Sequence, residues 1–245
     1  MISLFIRGST TKDGGARRAI LRSRANLARN SVSAKRDQAR LKLIEHPLIA
    51  AKLSILRAKT TAPDEFRRNV QEISILLLCE VSRSWKTRVI QVETPLTTGD
   101  GKILATPIVL VPILRAGLGM SEGMLRVLPD ASVGHIGIYR DEETLRPVTY
   151  FCRLPANLAE AHVVLLDPML ATGNSAREAL ALLKNQGAEK IQFVCIVACP
   201  QGIERVRSSH PDVDIITAAI DPELNKFGFI VPGLGDAGDR CFGTG

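Results

Sequence analysis

Mainly apolar runs separated by helical patterns occupy the chain from residue 108 onward. These runs have the length and composition of strands, and they span residues 108–113, 163–166, 191–198 and 213–220. A strand buried on both faces reads as such a run, whereas an amphipathic helix repeats its apolar residues every three or four positions. Stretches of helix-forming composition follow at 176–184 and 201–208. The alternation predicts an α/β fold with a doubly wound, mainly parallel sheet.

Helical periodicity marks two segments nearer the N-terminus. Residues 43–56 have an early proline, Pro47, and apolar residues at helical spacing, which predicts a short amphipathic helix. The second segment begins at Pro63, and an apolar residue recurs at each of its turns: Phe66, Val70, Ile73, Leu77 and Val81. This pattern predicts a longer helix that ends near Arg83.

Two hairpins are expected between the helical and the strand-rich parts. Residues 88–92 and 103–106 flank a glycine-containing turn at 97–101, which predicts a β-arm. A strand at 133–139 ends at Arg140 before an acidic turn, and residues 146–151 return beside it.

The C-terminal segment, residues 221–245, departs from the strand and helix alternation. It is rich in glycine and contains two prolines, too many breakers for a helix or a central strand. Apolar residues are interleaved with the glycines, so we expect an ordered loop. Exposed backbone donors and acceptors between apolar walls suit a flat polar heterocycle that is read through its amide edges.

The stretch VVLLDPMLATGNS, residues 163–175, predicts a phosphate cradle. An apolar strand leads through Asp167 into a loop closed by Thr172, Gly173, Asn174 and Ser175, and a helix follows. Free backbone N–H groups at a helix start carry partial positive charge, so a phosphate could bind there without a lysine. Neither a Walker loop nor a dinucleotide fingerprint is present. Taken alone, the stretch also fits an ordinary turn whose hydroxyls cap the helix.

Charged residues stand where three successive strands end: Arg115, Arg140 and Asp167. Successive parallel strands place such residues around one crevice, where open α/β sheets bind their ligands. Gly117 and Gly119 beside Arg115 would let the backbone approach a ligand closely. Read singly, Arg115 could be a surface residue, and Arg140 could pair with the acidic turn after it.

Three stretches, PILRAGLGM, DPMLATGNS and FIVPGLGDAGDR, resemble the uracil phosphoribosyltransferase family of the type I phosphoribosyltransferase superfamily, in the family's order. The resemblance covers residues 42–245. It implies a type I phosphoribosyltransferase fold with a β-arm and a C-terminal glycine-rich loop over the site. A proline directly after the aspartate, as at Pro168, is typical of this family. Asn174 stands where glycine is expected, and we expect the loop to survive because asparagine tolerates left-handed backbone angles.

The resemblance implies that the chain transfers the phosphoribosyl group of 5-phosphoribosyl 1-diphosphate (PRPP) to uracil, giving UMP and pyrophosphate. Mg²⁺ would enter with PRPP, with no direct protein ligand assigned. Arg115 and Arg140 would hold pyrophosphate, and these two with Asp236 are the catalytic candidates. PRPP would contact the arginines, Asp236 and the loop Asp167, Pro168, Met169, Leu170, Ala171, Thr172, Gly173, Asn174 and Ser175. Uracil would contact Ile230, Gly235, Asp236 and Ala237. The family pattern also implies a homo-oligomer, dimer or tetramer, and leaves GTP open as an activator.

The basic charge of the chain is concentrated in a leader. The net charge is +7, but residues 1–41 carry +8 and the remainder −1. The leader is predicted to be a flexible arm, with a nucleic-acid-binding tail or an organelle transit peptide as alternatives. Residues 42–245 form the predicted catalytic domain. No apolar run has membrane-spanning length, so we expect a soluble, cytoplasmic protein, or an organellar one if the leader is a transit peptide.

Cysteine usage and charge exclude several other classes. The five cysteines lack CxxC spacing, which indicates neither a disulfide framework nor a zinc site. An RNA-binding regulator on the same fold would need a basic face on residues 42–245, and their charge argues against nucleic acid. A catalytically silent binding subunit is the other alternative, and Asn174 is the loop departure that favours it.

Overall fold

A computed structural model describes residues 40–140 and 147–244, with only the backbone of Arg140. Most of the predicted leader, residues 1–39, lies outside the described residues, as do the acidic turn at 141–146 and Gly245. In chain order the elements are β1 (Leu41–Leu43), α1 (Pro47–Arg57), α2 (Pro63–Val81), a 3₁₀ turn (Ser82–Ser84), β2 (Thr87–Glu93), β3 (Thr98–Leu104), β4 (Ile108–Leu114), α3 (Leu118–Leu125), β5 (Ser132–Val133), β6 (His135–Arg140), β7 (Pro147–Arg153), β8 (His162–Leu166), β9 (Met169–Leu170), α4 (Asn174–Asn185), β10 (Lys190–Ala198), α5 (Pro200–Ser209), β11 (Asp214–Ile220), β12 (Glu223–Leu224), β13 (Ile230–Val231) and α6 (Ala237–Phe242).

The predicted parallel sheet is confirmed. Its strands lie in the order β1, β11, β10, β8, β4, β6, β7, with the short strands β5 and β9 beside β4 and β10. All pairings are parallel except that of β6 with β7, which is the predicted second hairpin. The carboxyl ends of β4, β6 and β8 therefore meet at one edge of the sheet, where the candidate site residues were expected.

Two apolar layers cover the sheet. Alternate residues of β8 face opposite sides: Val164 and Leu166 pack with α1, α2 and α3, whereas Val163 and Leu165 pack with α4 and α5. This explains why the strand has no polar alternation, because both of its faces are buried. The two layers fix the sheet from both sides and so fix the positions of its strand ends.

Both predicted N-terminal helices are present, but α1 begins at Pro47, four residues after its predicted start, because Leu43 belongs to β1. In α1, Pro47 occupies the first turn, where its missing N–H is not needed, and the Leu48 N–H donates to Nδ1 of His46 at 3.2 Å. In α2 the predicted apolar stripe is buried, and the helix ends at Val81, two residues before the expected end. Within residues 40–140 and 147–244, no helix combines the length and apolar character needed to cross a membrane.

The β2–β3 hairpin is the predicted arm, but its turn was placed wrongly. The turn occupies residues 94–97, and the expected turn residues 98–101 belong to β3. Thr94 causes the shift: its hydroxyl oxygen accepts the N–H groups of Leu96 and Thr97, at 3.3 and 3.1 Å, and closes the turn early. Gly99 and Gly101 therefore lie within a strand.

The expectation of a C-terminal segment without helix was wrong at residues 237–242. The six residues of α6 form a short helix because both of its ends are capped. The Asp236 side chain accepts the N–H of Asp239 at 3.0 Å at the start, and Gly243, at φ +66°, ends it. The rest of the segment is ordered as expected, with β12 and β13 pairing as a small antiparallel ladder.

Candidate active site

Parallel pairing brings two of the predicted site residues together. Residues of β4 and β8 pair up to Pro112 with Leu166, so Arg115 and Asp167 follow neighbouring strands at the same edge. Arg140 ends β6, which pairs with β4 on its other side, so its backbone lies at this edge too. The side chain of Arg140 lies outside the described part of the chain. The predicted crevice therefore exists at the carboxyl ends of the strands.

A cavity of about 290 Å³ opens between this edge and the C-terminal segment. It is lined by Ala116, Asp167, Met169, Ala171, Phe227, Gly228, Phe229, Ile230, Gly235, Asp236, Ala237 and Gly238. All four residues expected to contact uracil are in this set, together with three residues of the expected PRPP loop. No contact with a substrate was predicted for Ala116 or Phe227. Ala116 lies in the stretch PILRAGLGM, and Phe227 is one of the apolar residues interleaved with the C-terminal glycines.

A larger cavity, of about 640 Å³, lies elsewhere. It is formed where β4 begins, near Pro107 and Ile108, against residues 127–131 and the base of the arm. Ligands of open α/β sheets bind at the carboxyl ends of strands, not at the amino ends. The smaller cavity also holds the two carboxylates Asp167 and Asp236, and we assign the candidate active site to it.

Asp167 has an unusual electrostatic environment. Burial raises the pKa of its carboxyl to about 7; the Met169 N–H, which donates to Oδ1 at 3.3 Å, opposes the rise, and the negative charge of Asp236 adds to it. Two carboxylates that share one cavity favour a bound cation or a proton. This is the local chemistry expected beside ribose hydroxyls and a divalent ion.

Replacing Asp167 by Asn should stabilise the protein increasingly as the pH rises from about 4 to 7. The folded-state pKa lies above the unfolded one, so in this window the folded chain holds a proton that the unfolded chain has lost, and stability falls with rising pH. The slope from one such group is at most about 1.4 kcal/mol per pH unit. Urea unfolding of both proteins from pH 4.5 to 8 would test this, and a constant difference between them would contradict it.

The phosphate loop has the predicted strand, loop and helix geometry, but the left-handed residue is Gly173, not Asn174. Gly173 has φ +76° and precedes α4, and a Cβ there would lie 2.8 Å from the carbonyl oxygen of Gly202. Asn174 already has helical backbone as the first residue of α4. Its side-chain oxygen accepts a hydrogen bond from Nη1 of Arg205 at 3.1 Å. The expected reason for tolerating Asn174 was therefore wrong: the position does not require left-handed angles.

Arg115 is exposed and pairs with an acid at the edge of the cavity. Its Nη2 lies 3.0 Å from Oδ1 of Asp239, Nη1 lies 3.4 Å from the Thr244 hydroxyl, and the guanidinium is 5.9 Å from the centre of the Phe242 ring. An exposed pair of this kind is weak, so a polyanion could replace Asp239 at small cost. The assignment of Arg115 to pyrophosphate stays a prediction.

The two glycines after Arg115 allow close packing within the protein, and their expected approach to a ligand stays a prediction. A Cβ on Gly117 would lie 2.5 Å from the carbonyl oxygen of Leu166, and one on Gly119 would lie 3.2 Å from Val70. Gly117 thus lets the loop after β4 approach the end of β8, and Gly119 lets α3 approach α2. These contacts bring Ala116 to the cavity wall.

The fold and the site define the class: an α/β protein with a strand, phosphate-loop and helix unit, whose acidic cavity is closed by a glycine-rich segment, as in the type I phosphoribosyltransferases. The family model of uracil phosphoribosyltransferase matches residues 43–244. The chain belongs to that family.

Individual relatives agree with the family assignment. A uracil phosphoribosyltransferase of Dictyoglomus turgidum is 56% identical over 203 residues, 82% of this chain and 98% of that protein. One of Clostridium perfringens is 55% identical over 202 residues, 82% of this chain and 97% of the relative. Among solved structures, the AQ2163 protein of Aquifex aeolicus is 38% identical with a TM-score of 0.80, covering 83% of this chain and 98% of that one.

Proposed function

We propose that the protein transfers the phosphoribosyl group of PRPP to N1 of uracil, giving UMP and pyrophosphate in pyrimidine salvage. The observation that carries this proposal is the cavity in which Asp167, at the end of β8, faces the glycine-rich residues Gly235–Ala237 and Ile230. Family membership supports the same reaction. The phosphate loop enters the cavity wall at Met169 and Ala171, which supports the binding of a ribose phosphate between this loop and the cavity.

The chain's own residues hold and orient the two substrates. The start of α4 offers free backbone N–H groups to the 5-phosphate, and Asp167 accepts hydrogen bonds from ribose hydroxyls. The backbone of Ile230, Gly235 and Ala237 faces the base, and Phe227 and Phe229 provide apolar walls that limit water. The bond from C1′ to pyrophosphate breaks as N1 of uracil bonds to C1′, and the proton of N1 is released to the departing pyrophosphate or to water. Arg115 and Arg140 stabilise the growing negative charge on pyrophosphate.

Mg²⁺ fits this site as an ion carried by PRPP. Asp167 and Asp236 line one cavity, and their mutual repulsion would be relieved by a cation. Among the residues that the structure describes, no cluster of three acidic, histidine or cysteine side chains could hold a metal unaided, so PRPP and water would supply most of the ligands. When bound, the ion would neutralise charge on the departing pyrophosphate.

The proposal is tested by incubating the full chain with uracil, PRPP and Mg²⁺. We expect UMP and pyrophosphate in equal amounts, and no UMP when PRPP is omitted. The same assay with added GTP tests the activation that the family resemblance leaves open, and sedimentation tests the homo-oligomer that the resemblance implies. Absence of UMP over a range of Mg²⁺ and GTP concentrations would contradict the proposal and favour a silent binding subunit.

We also propose that the leader is dispensable for catalysis in a cytoplasmic protein. Deleting residues 1–39, which is the predicted leader without Arg40 and Leu41, should leave kcat and both KM values within about twofold, because the family match begins at residue 43. The deletion should stop before Arg40, whose N–H donates to Asp214 at 2.9 Å beside β1. Steady-state kinetics of both forms provide the measurement. A truncated protein that loses activity would show that the leader contributes to the site.

A further inference from the structure

The cavity wall contains a bend that does not itself face the cavity. Phe227–Ile230 and Gly235–Gly238 line the cavity, whereas the residues between them, 231–234, do not. We call residues 231–234 the linking bend. Its position sets the distance between the two lining stretches, because it is the only covalent connection between them and is four residues long.

A closed ring of hydrogen bonds holds the centre of the linking bend. Arg57, the last residue of α1, forms a two-pronged ion pair with Asp221: Nη1 lies 2.7 Å from Oδ2, and Nη2 lies 2.7 Å from Oδ1. The same Nη1 donates to the carbonyl oxygen of Gly233 at 3.0 Å, and the Gly233 N–H donates to Oδ2 of Asp221 at 2.8 Å. Both backbone polar groups of Gly233 are therefore used by this pair.

The ring is partly buried and is tied to the central sheet. The Asp221 side chain is 7% exposed, and its backbone N–H donates to the carbonyl oxygen of Ala198, at the end of β10, at 2.9 Å. Burial alone would raise the pKa of Asp221, but the Arg57 guanidinium and the Gly233 N–H hold it below its usual value. The carboxylate is thus an anionic anchor at the carboxyl edge of the sheet, the same edge that carries Asp167.

Gly233 cannot reach this geometry with a side chain. Its φ is +57°, and a Cβ would lie 2.1 Å from the carbonyl oxygen of Ile230. The bend is therefore folded tightly back on the lining stretch that contains Ile230. A second arginine secures the same junction, since Arg240 donates to the carbonyl oxygens of Leu234 and of Ala58, at 2.9 and 2.6 Å.

We propose that Arg57 and Asp221 are positioning residues for base recognition: they fix the linking bend so that the two lining stretches keep the spacing that a pyrimidine needs. This inference rests on the proposed function of the cavity as the uracil site. Neither side chain lines the cavity, so their effect must pass through the backbone of Gly233. Of the residues assigned to PRPP, only Asp236 lies on a stretch that the bend positions, whereas the phosphate loop and both arginines lie on other elements, so PRPP binding should depend on the pair less than uracil binding does.

The test compares Arg57→Ala, Arg57→Lys and Asp221→Asn in the full chain. Arg57→Ala should raise KM for uracil about tenfold or more, while KM for PRPP stays within about threefold. Lysine keeps the charge but cannot make two parallel bonds and a third to Gly233, so Arg57→Lys should lie between the parent and Arg57→Ala. Asp221→Asn should also raise the KM for uracil more than the KM for PRPP.

Leu183→Ala is the control for lost stability, because Leu183 is fully buried in α4 on the other face of the sheet. It should lower the melting temperature and leave both KM values unchanged. If the KM for uracil is unchanged in the Arg57 and Asp221 variants while their melting temperatures fall, the pair is structural and the inference is wrong. If Arg57→Ala does not fold, Arg57→Lys and Asp221→Asn give the same comparison. Formation of UMP by the parent protein separates this outcome from failure of the proposed function.

Discussion

Replacing Arg115 by Ala should lower kcat/KM for PRPP about 30- to 1,000-fold, which corresponds to about 2–4 kcal/mol of lost transition-state stabilisation. The negative charge on pyrophosphate increases as its bond to C1′ breaks, so the contact is worth more in the transition state than in the ground state. Arg140→Ala should have a comparable effect, because the backbone of Arg140 ends the strand next to β4.

The melting temperature should hardly change in Arg115→Ala. The side chain of Arg115 is 53% exposed and that of Asp239 is 36% exposed, and such ion pairs contribute little to stability. Arg83→Ala is a matched control, since Arg83 is a 70% exposed arginine that pairs with Glu80 away from the cavity. It should preserve kcat/KM. A large loss of stability in Arg115→Ala, with full activity per folded molecule, would show that Arg115 is structural.

Replacing Gly235 by Val should reduce kcat/KM for uracil about tenfold or more. Gly235 has φ +72°, and left-handed backbone costs an ordinary residue about 1–2 kcal/mol, more for a β-branched one. Space is not the obstacle, because the nearest atom to an added Cβ is Cδ of Arg240 at 3.6 Å. We therefore expect the backbone itself to rearrange and to misplace the groups that face the base.

Gly187→Val provides the control for backbone strain alone. Gly187 has φ +88° in the turn after α4, with no atom within 4 Å of an added Cβ. That variant should lose stability but keep its activity per folded molecule. Full activity in Gly235→Val would contradict the prediction that the backbone at this position reads the base.

The substitution Asp236→Asn should affect turnover but not the preference for uracil over cytosine. Uracil presents a carbonyl at position 4 and an N–H at position 3, where cytosine presents an amino group and a bare nitrogen, so backbone groups set for one are mispaired with the other. Asparagine can replace aspartate as the cap of α6, which keeps the backbone path. Turnover should fall with the lost charge while the preference for uracil remains. Comparable use of both bases by the parent protein would contradict backbone selection.

The sequence predicted the sheet and the identity of most cavity residues. Strands β4, β8 and β10 were found because strands buried on both faces must be apolar throughout, and α2 because one buried stripe recurs at every turn. Asp167, Ile230 and Gly235 to Ala237 were found because their stretches match a known family. These signals are local, so they can be recognised without knowing which residues pack against these stretches.

Only the tertiary structure decided how those stretches act on one another. Arg57 and Asp221 are 164 positions apart, and Arg115 and Asp239 are 124 apart, so no local pattern relates them. The raised pKa of Asp167 depends on its burial in the folded chain and on the charge of Asp236 in the C-terminal segment. The sequence could not show that Leu166 of the neighbouring strand comes so near to Gly117. Neighbouring residues determine the local chemistry, whereas the spacing between segments, the burial of side chains and the coupling of charges arise only when distant segments pack together.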